Sequence, residues 1–156
     1  MTSNSDQKIA LITGATSPIG GAIAKRLHSD NYKLVLAVNS SFEQGTELSK
    51  QFDAVTIAAD LSEPDGPELL VTKALEQAGS IDALVNNAAC QKLEEWSTID
   101  SDKWDEMLDV NLKAAQLLMN AVSGHIISEQ KKGAIVNISS IAVSYTHLTL
   151  PTILLV

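Results

Sequence analysis

Short runs of consecutive apolar residues alternate along this chain with longer stretches in which apolar positions recur every third or fourth residue. The short runs, Ile9–Thr13, Lys33–Val38, residues 54–58, Ala83–Asn86 and residues 134–138, read as strands. Several are apolar at successive positions, as strands covered on both faces must be. The stretches between them read as helices: from Pro18 to about residue 28, from 42 to about 51, and from Pro67 to a stop at Gly79. Proline suits a first helical turn, where no intrahelical N–H bond is lost, and glycine suits the residue just past a helix end. A fourth and longest helix opens at Asp100 or Ser101, either of which can cap it. It carries Trp104, Met107, Leu108, Leu112, Ala115, Leu118, Met119 and Val122 as one apolar stripe, which must cover the sheet or another subunit. Such alternation predicts an α/β fold, a doubly wound parallel sheet of about five strands.

The 156 residues, 45% hydrophobic and 19% charged, can bury one core, so a single domain is expected. A net charge of -8, with no basic cluster beyond Lys131-Lys132, argues against nucleic acid, which needs a basic face to displace counterions. Residues 1–8 are polar and the apolar run Ile9–Ile12 is too short for a signal core or a membrane span, so no membrane partner is expected. Cys90 is the single cysteine, which rules out an intramolecular disulfide and fits a reducing cytoplasm.

The first strand runs straight into Thr13-Gly14-Ala15-Thr16-Ser17-Pro18-Ile19-Gly20 and then a helix. A glycine lets the chain turn off the strand, and the open N–H groups at a helix start can hold a pyrophosphate. The spacing Gly-x-x-x-Pro-x-Gly is not the Gly-x-Gly-x-x-Gly fingerprint, and no Gly-Lys-Ser/Thr is present, so ATP hydrolysis is disfavoured. Asp60-Leu61 follows the third strand and Asn86-Asn87-Ala88-Ala89 the fourth. Asn111 lies within the long helix, and Ile135-Val136-Asn137-Ile138-Ser139-Ser140 closes the fifth strand. Alone, each has a local explanation: a turn aspartate, a helix asparagine bonded to its own backbone, a strand-end serine. Together, in this order over residues 8–142, they resemble the short-chain dehydrogenase/reductase family. Pro18 departs from the middle glycine of that family's Thr-Gly-x-x-x-Gly-x-Gly loop, and Ala89 stands where the family has glycine.

The resemblance implies a Rossmann-type, nucleotide-binding, NAD(P)-dependent oxidoreductase. It would transfer hydride between nicotinamide and a small carbonyl or alcohol substrate, such as a 3-oxoacyl thioester. Gly14, Thr16, Ser17, Ile19 and Gly20 would form the cofactor's phosphate loop, and Asn39 and Ser40 would meet its ribose. Asp60 with Leu61 would meet the adenine, and Asn87 the cofactor cleft, while Asn86 with Ala88 would line the cleft and brace the sheet. No metal is implied. Ser140 would bond the substrate oxygen, and Asn111 would hold a water. Neutral Asn39, Ser40 and Ser41 stand where a carboxylate would hold the NAD ribose, which favours NADP(H), with NAD(H) the alternative. Ser17, where NADP-dependent relatives often carry a basic residue, and nearby Glu43 speak the other way. Cys90 is expected to be a small packed side chain with no base beside it.

The family's proton-handling tyrosine should follow the serine by about thirteen residues, with a lysine four beyond to lower its pKa. Position 153 is Ile153, Tyr145 is followed four residues on by Thr149, and no lysine follows Lys132. The sequence is therefore expected to be an inactive N-terminal fragment of a homo-oligomeric enzyme, with residues 1–142 the nucleotide-binding domain. Residues 143–156 are uncharged and without helical period. They resemble the peptide read when a sequencing-library adapter is translated, the other reading being a genuine apolar strand. A non-catalytic dinucleotide-binding or interaction protein is the alternative function.

Overall fold

The computed structural model describes residues 7–91, 98 and 100–140. The expectation of a separate tail from 143 onward lies outside the described residues. Ile9–Thr13 forms β1, Lys33–Val38 β2, Val55–Ala58 β3, Ala83–Asn86 β4 and Ala134–Asn137 β5. All pair in parallel in the order β3-β2-β1-β4-β5. Three strands keep the bounds set by their apolar runs, while β3 begins one residue later than expected and β5 ends one earlier.

Successive side chains of a strand point to opposite faces, and here both faces are apolar. Ile9 and Leu11 join Val35, Ala37 and Leu84 on one face, while Ala10 and Ile12 join Leu34, Leu36 and Val85 on the other. Helices α1 (Pro18–Ser29) and α2 (Phe42–Phe52) cover the second face through Ala24 and Phe52. Helices α3 (Gly66–Ala78) and α5 (Ala114–Ser128) cover the first through Leu70, Ala74, Leu118, Val122 and Ile126. Each fully buried leucine or valine contributes roughly 1.5–3 kcal/mol of transfer free energy, so these two layers hold the sheet.

Local chemistry sets the helix ends. Ser17 caps α1 by accepting the Gly20 N–H at 3.0 Å, and Asp100 caps α4 (Ser101–Leu108) by accepting that of Lys103 at 2.9 Å. Gly79 closes α3 in the left-handed region at φ 87°, as its position past the last apolar turn predicted. Helix α3 starts at Gly66, one residue before the expected Pro67; that position requires glycine, because a Cβ there would overlap the carbonyl oxygen of Asp60.

The long fourth helix departs from expectation. A π-helical turn, Asp109–Lys113, separates α4 from α5. Each residue added to a turn rotates the helix beyond it by about 100°, so the two helices cannot share one stripe. Leu118 and Val122 enter the core, whereas Trp104, Leu108 and Leu112 are 45%, 42% and 66% exposed. Among the described residues, no helix is long and apolar enough to cross a membrane.

The topology positions the site. From β1 the chain winds through β2 to β3 on one side, then α3 carries it back to β4 on the other side of β1. The loops leaving the carboxyl ends of β1 and β4 therefore diverge, and a crevice opens between them.

Candidate functional site

The loop leaving β1 turns at Gly14, whose φ of 62° lies in the left-handed region. A side chain there would also meet Ala88 Cα at 2.9 Å, so the loop lies directly against the one leaving β4. Gly20 is packed underneath, where a Cβ would overlap the Gly14 carbonyl and reach Ala15 Cα at 2.9 Å.

Thr13 and Asn87 bind the two loops together. The Thr13 hydroxyl accepts the N–H groups of Asn87 and Ala88, both at 3.0 Å, and faces the Val85 carbonyl at 3.4 Å. The Asn87 Nδ2 donates its two hydrogens to the carbonyls of Thr13 and Gly14 at 3.0 Å, and Ser17 Oγ lies 3.2 Å from it. Two carbonyl oxygens around one terminal atom require it to be the amide nitrogen, which fixes the side chain's orientation. The amides of Thr16 and Ile19 donate to no described residue and border the crevice.

The crevice is a cleft of about 1190 Å3. Gly14, Thr16, Ser17 and Ile19 line its floor, Asn39 and Ser40 the end of β2, and Asp60 and Leu61 the end of β3. Asn87 and Ala88 line it from β4, and Asn111 and Ser140 close the far side. Of the expected site residues Gly20 and Asn86 do not line it; the part of Gly20 is to let the loop fold. Glu43 is not in the lining. Among the described lining residues Asp60 and Glu106 alone are charged, and none is Lys or Arg.

Asp60 Oδ1 accepts the Ser62 hydroxyl at 2.6 Å and the Ser62 amide at 2.9 Å. These bonds, the hydroxyl's first, outweigh burial and, with a bond from Asn39, hold its carboxyl below the usual carboxylate range. A lowered folded pKa gives stability that is present above the unfolded value and lost as pH falls through the folded one. We therefore expect the stability difference between wild type and Asp60→Asn to stay constant from pH 8 to 5 and to close below about pH 4. Thermal melts of both proteins across that range check this, and a gap that already closes near pH 6 would contradict the assignment.

At the far side, Asn111 sits in the π turn and clasps the Cys90 main chain: its Oδ1 accepts the Cys90 N–H and its Nδ2 donates to the Cys90 carbonyl, both at 2.8 Å. The Asn111 side chain thus fixes the loop after β4. Cys90 has a carboxylate beside it, contrary to expectation: its Sγ lies 3.5 Å from Glu106 Oε1, brought there from α4. Glu106 and Val110 are lining residues that sequence reasoning missed, because only the turn of α4 toward the loop brings them in. Asn86 is a second correction. It is 7% exposed and does not line the cleft. Its Nδ2 instead donates to Asn137 Oδ1 at 2.9 Å, bracing β4 against β5. The strand pleat decides this, since Asn86 and Asn87 point to opposite sides.

A crevice of this shape, floored by a glycine loop at the switch point, occurs in many nucleotide-binding folds. The sequence pattern that describes short chain dehydrogenases matches residues 8–151. This chain belongs to the short-chain dehydrogenase family. That match runs past the boundary expected at Ala142. The chain of this short-chain dehydrogenase is 31% identical over 143 residues to an acetoacetyl-CoA reductase of Acinetobacter sp. (strain RA3849), covering 88% of this chain and 57% of that protein. A metagenomic short-chain oxidoreductase solved in complex with NADP is 34% identical, with a TM-score of 0.79 over 86% of this chain and 63% of its own. An acetoin dehydrogenase from Salmonella typhimurium is 28% identical, with a TM-score of 0.81 over 93% of this chain and 58% of its own. The chain thus spans little more than half the length of the curated relatives it matches.

Proposed function

We propose that this short-chain dehydrogenase chain holds the dinucleotide of an NAD(P)-dependent oxidoreductase that interconverts a small carbonyl and its alcohol. The observation that carries the reading is the loop Gly14–Gly20, folded on the carboxyl edge of the sheet with the amides of Thr16 and Ile19 open to the cleft. Glycine at 14 and 20 lets the loop pack against Ala88 and beneath its own turn, which holds those amides at the cleft where a pyrophosphate would approach, so the residues fit the cofactor. When bound, a nicotinamide supplies or accepts hydride.

The chain's own residues would orient it. Asp60, held ionised, would accept the adenine amino group, and Leu61 would flank the ring. Asn39 and Ser40 would meet the ribose. With no carboxylate among Asn39, Ser40 and Ser41, a 2′-phosphate meets no repulsion there, and NADP(H) is the proposed cofactor. The relative of 34% identity was solved with NADP. Ser140 would donate to the substrate oxygen, and Asn111 would hold the Cys90 loop and, with its remaining hydrogen, a water. No lysine follows Lys132, so these 156 residues hold no tyrosine–lysine pair to move the proton, and we expect binding without turnover. The exposed Trp104, Leu108 and Leu112 would form a surface between copies in a homo-oligomer.

Fluorescence or calorimetric titration tests the reading. NADPH should bind more tightly than NADH by on the order of tenfold, the value of one well-placed charged contact. Tighter NADH would overturn the cofactor choice, and no binding of either at millimolar concentration would overturn the site.

A further inference from the structure

Among the described residues, one carboxylate lines the end of the cleft away from Asp60. Glu106, half-buried on α4, stands there with Cys90, Gln91, Val110, Asn111 and Ser140. Residues five apart on an uninterrupted α-helix face about 140° away from each other, yet Glu106 and Asn111 both reach Cys90. The π turn Asp109–Lys113, which begins between them, carries Asn111 round to the side of Glu106.

Glu106 is held from the loop side. Its Oε1 accepts the Cys90 thiol at 3.5 Å, and the Cys90 main chain is itself clasped by the Asn111 side chain through bonds of 2.8 Å. An ionised carboxylate has two oxygens with about four lone-pair positions, and a thiol is a weak donor to one of them. The group therefore keeps acceptor capacity toward the cleft alongside its protein contacts. It can receive an O–H, and it repels a second negative charge. No lysine or arginine stands among the described lining residues to reverse that sign.

We propose that Glu106 selects the substrate by accepting a free hydroxyl on the carbon beside the reacting carbonyl or alcohol carbon. The site then takes uncharged hydroxylated ketones, polyols and sugars in preference to bare ketones and to keto acids. This rests on the oxidoreductase reading of the cleft and adds to it the class of substrate.

Three ketones with the same skeleton test it: butan-2-one, 1-hydroxybutan-2-one and 2-oxobutanoate. They carry a methyl, a hydroxymethyl and a carboxylate group beside the carbonyl. Binding of each to the 156-residue chain saturated with NADP+, which has no hydride to give a ketone, is read by NMR titration. One hydrogen bond to a charged acceptor, discounted for partial exposure, predicts that the hydroxyketone binds about tenfold more tightly than butan-2-one. The keto acid should bind more weakly than either. Glu106→Ala should erase the preference for the hydroxyl. Glu106→Gln, which keeps an acceptor but not the charge, should cut it to about threefold and bring the keto acid up to the level of butan-2-one. Melting temperature and NADP+ affinity should stay at wild-type values in Glu106→Gln, whereas a residue that only held the Cys90 loop would move both. Wild type that binds NADP+ but takes the hydroxyketone no better than butan-2-one would overturn the proposal alone. So would a full tenfold preference in Glu106→Gln. Wild type that binds no NADP+ would overturn the underlying reading instead.

Discussion

Replacing Gly20 with alanine should abolish measurable dinucleotide binding and destabilise the chain by about 3 kcal/mol, near the upper end for overpacking in a rigid surround. The added Cβ overlaps the Gly14 carbonyl oxygen and sits 2.9 Å from Ala15 Cα and 3.0 Å from Asn87 Nδ2. Two of these three neighbours are backbone, which cannot swing aside as a side-chain tip does. The third, Asn87, is held by two carbonyls. Relief therefore requires lifting the Gly14 turn or tilting α1, and either moves the open amides of Thr16 and Ile19 away from each other. With both amides displaced from their common target the loss in NADPH affinity is expected to be at least about 100-fold, which puts binding beyond measurement for a ligand of ordinary affinity. Gly21→Ala is the control, since its Cβ would meet only the Ala15 carbonyl, at 3.8 Å. Urea melts and NADPH titration of both variants check the result. A Gly20→Ala protein with wild-type melting and affinity would mean that this loop is not built as described.

The same glycines show what could be read without coordinates. Gly14 and Gly20 stood out because a strand runs into them and a helix comes next, and the strands themselves were legible because β1, β2 and β4 are apolar on both faces. Gly66 was not legible as a close approach: its need arises from the Asp60 carbonyl, placed there by the turn that Ser62 closes on the Asp60 side chain. The register between α4 and α5 was not legible either. The apolar spacing from Trp104 to Val122 continues through Asp109–Lys113 as though the helix were uniform, and periodicity carries no mark of an inserted residue. The widened turn carries Asn111, whose side chain clasps the Cys90 main chain 21 residues away, a contact that no helical spacing announces. Asn86 and Asn87 are adjacent letters with opposite roles, one bracing strands and one binding loops, and the pleat that separates them needs the strand's orientation to be known. The contact of Cys90 with Glu106 joins a loop to a helix by tertiary packing, so no local pattern announces it.

Thr13 offers the second large effect. It is 1% exposed, and its hydroxyl is the one acceptor for the amides of Asn87 and Ala88 among the described residues. Thr13→Val keeps the shape and removes the oxygen, leaving two amides unsatisfied, each costing about 1–3 kcal/mol where water cannot reach. Partial exposure at Asn87 and Ala88 lets water repay some of that, so the expected destabilisation is about 2–4 kcal/mol. Thr13→Ser keeps the oxygen and gives up one buried methyl group, for which about 1 kcal/mol is expected. The ordering of the two variants therefore carries the test: packing alone would make the valine protein the more stable of the two, whereas the hydrogen-bond account makes it the less stable. The valine variant should also bind NADPH more weakly than the serine variant. Without its two anchors the loop after β4 no longer holds Asn87 against Gly14 and Ser17, and the floor of the cleft loses the side chain that ties the two loops together. Chemical denaturation of the pair, with NADPH titration on each, decides between these accounts. Equal stability of Thr13→Val and wild type would show that the two loops are held together by something other than this one oxygen.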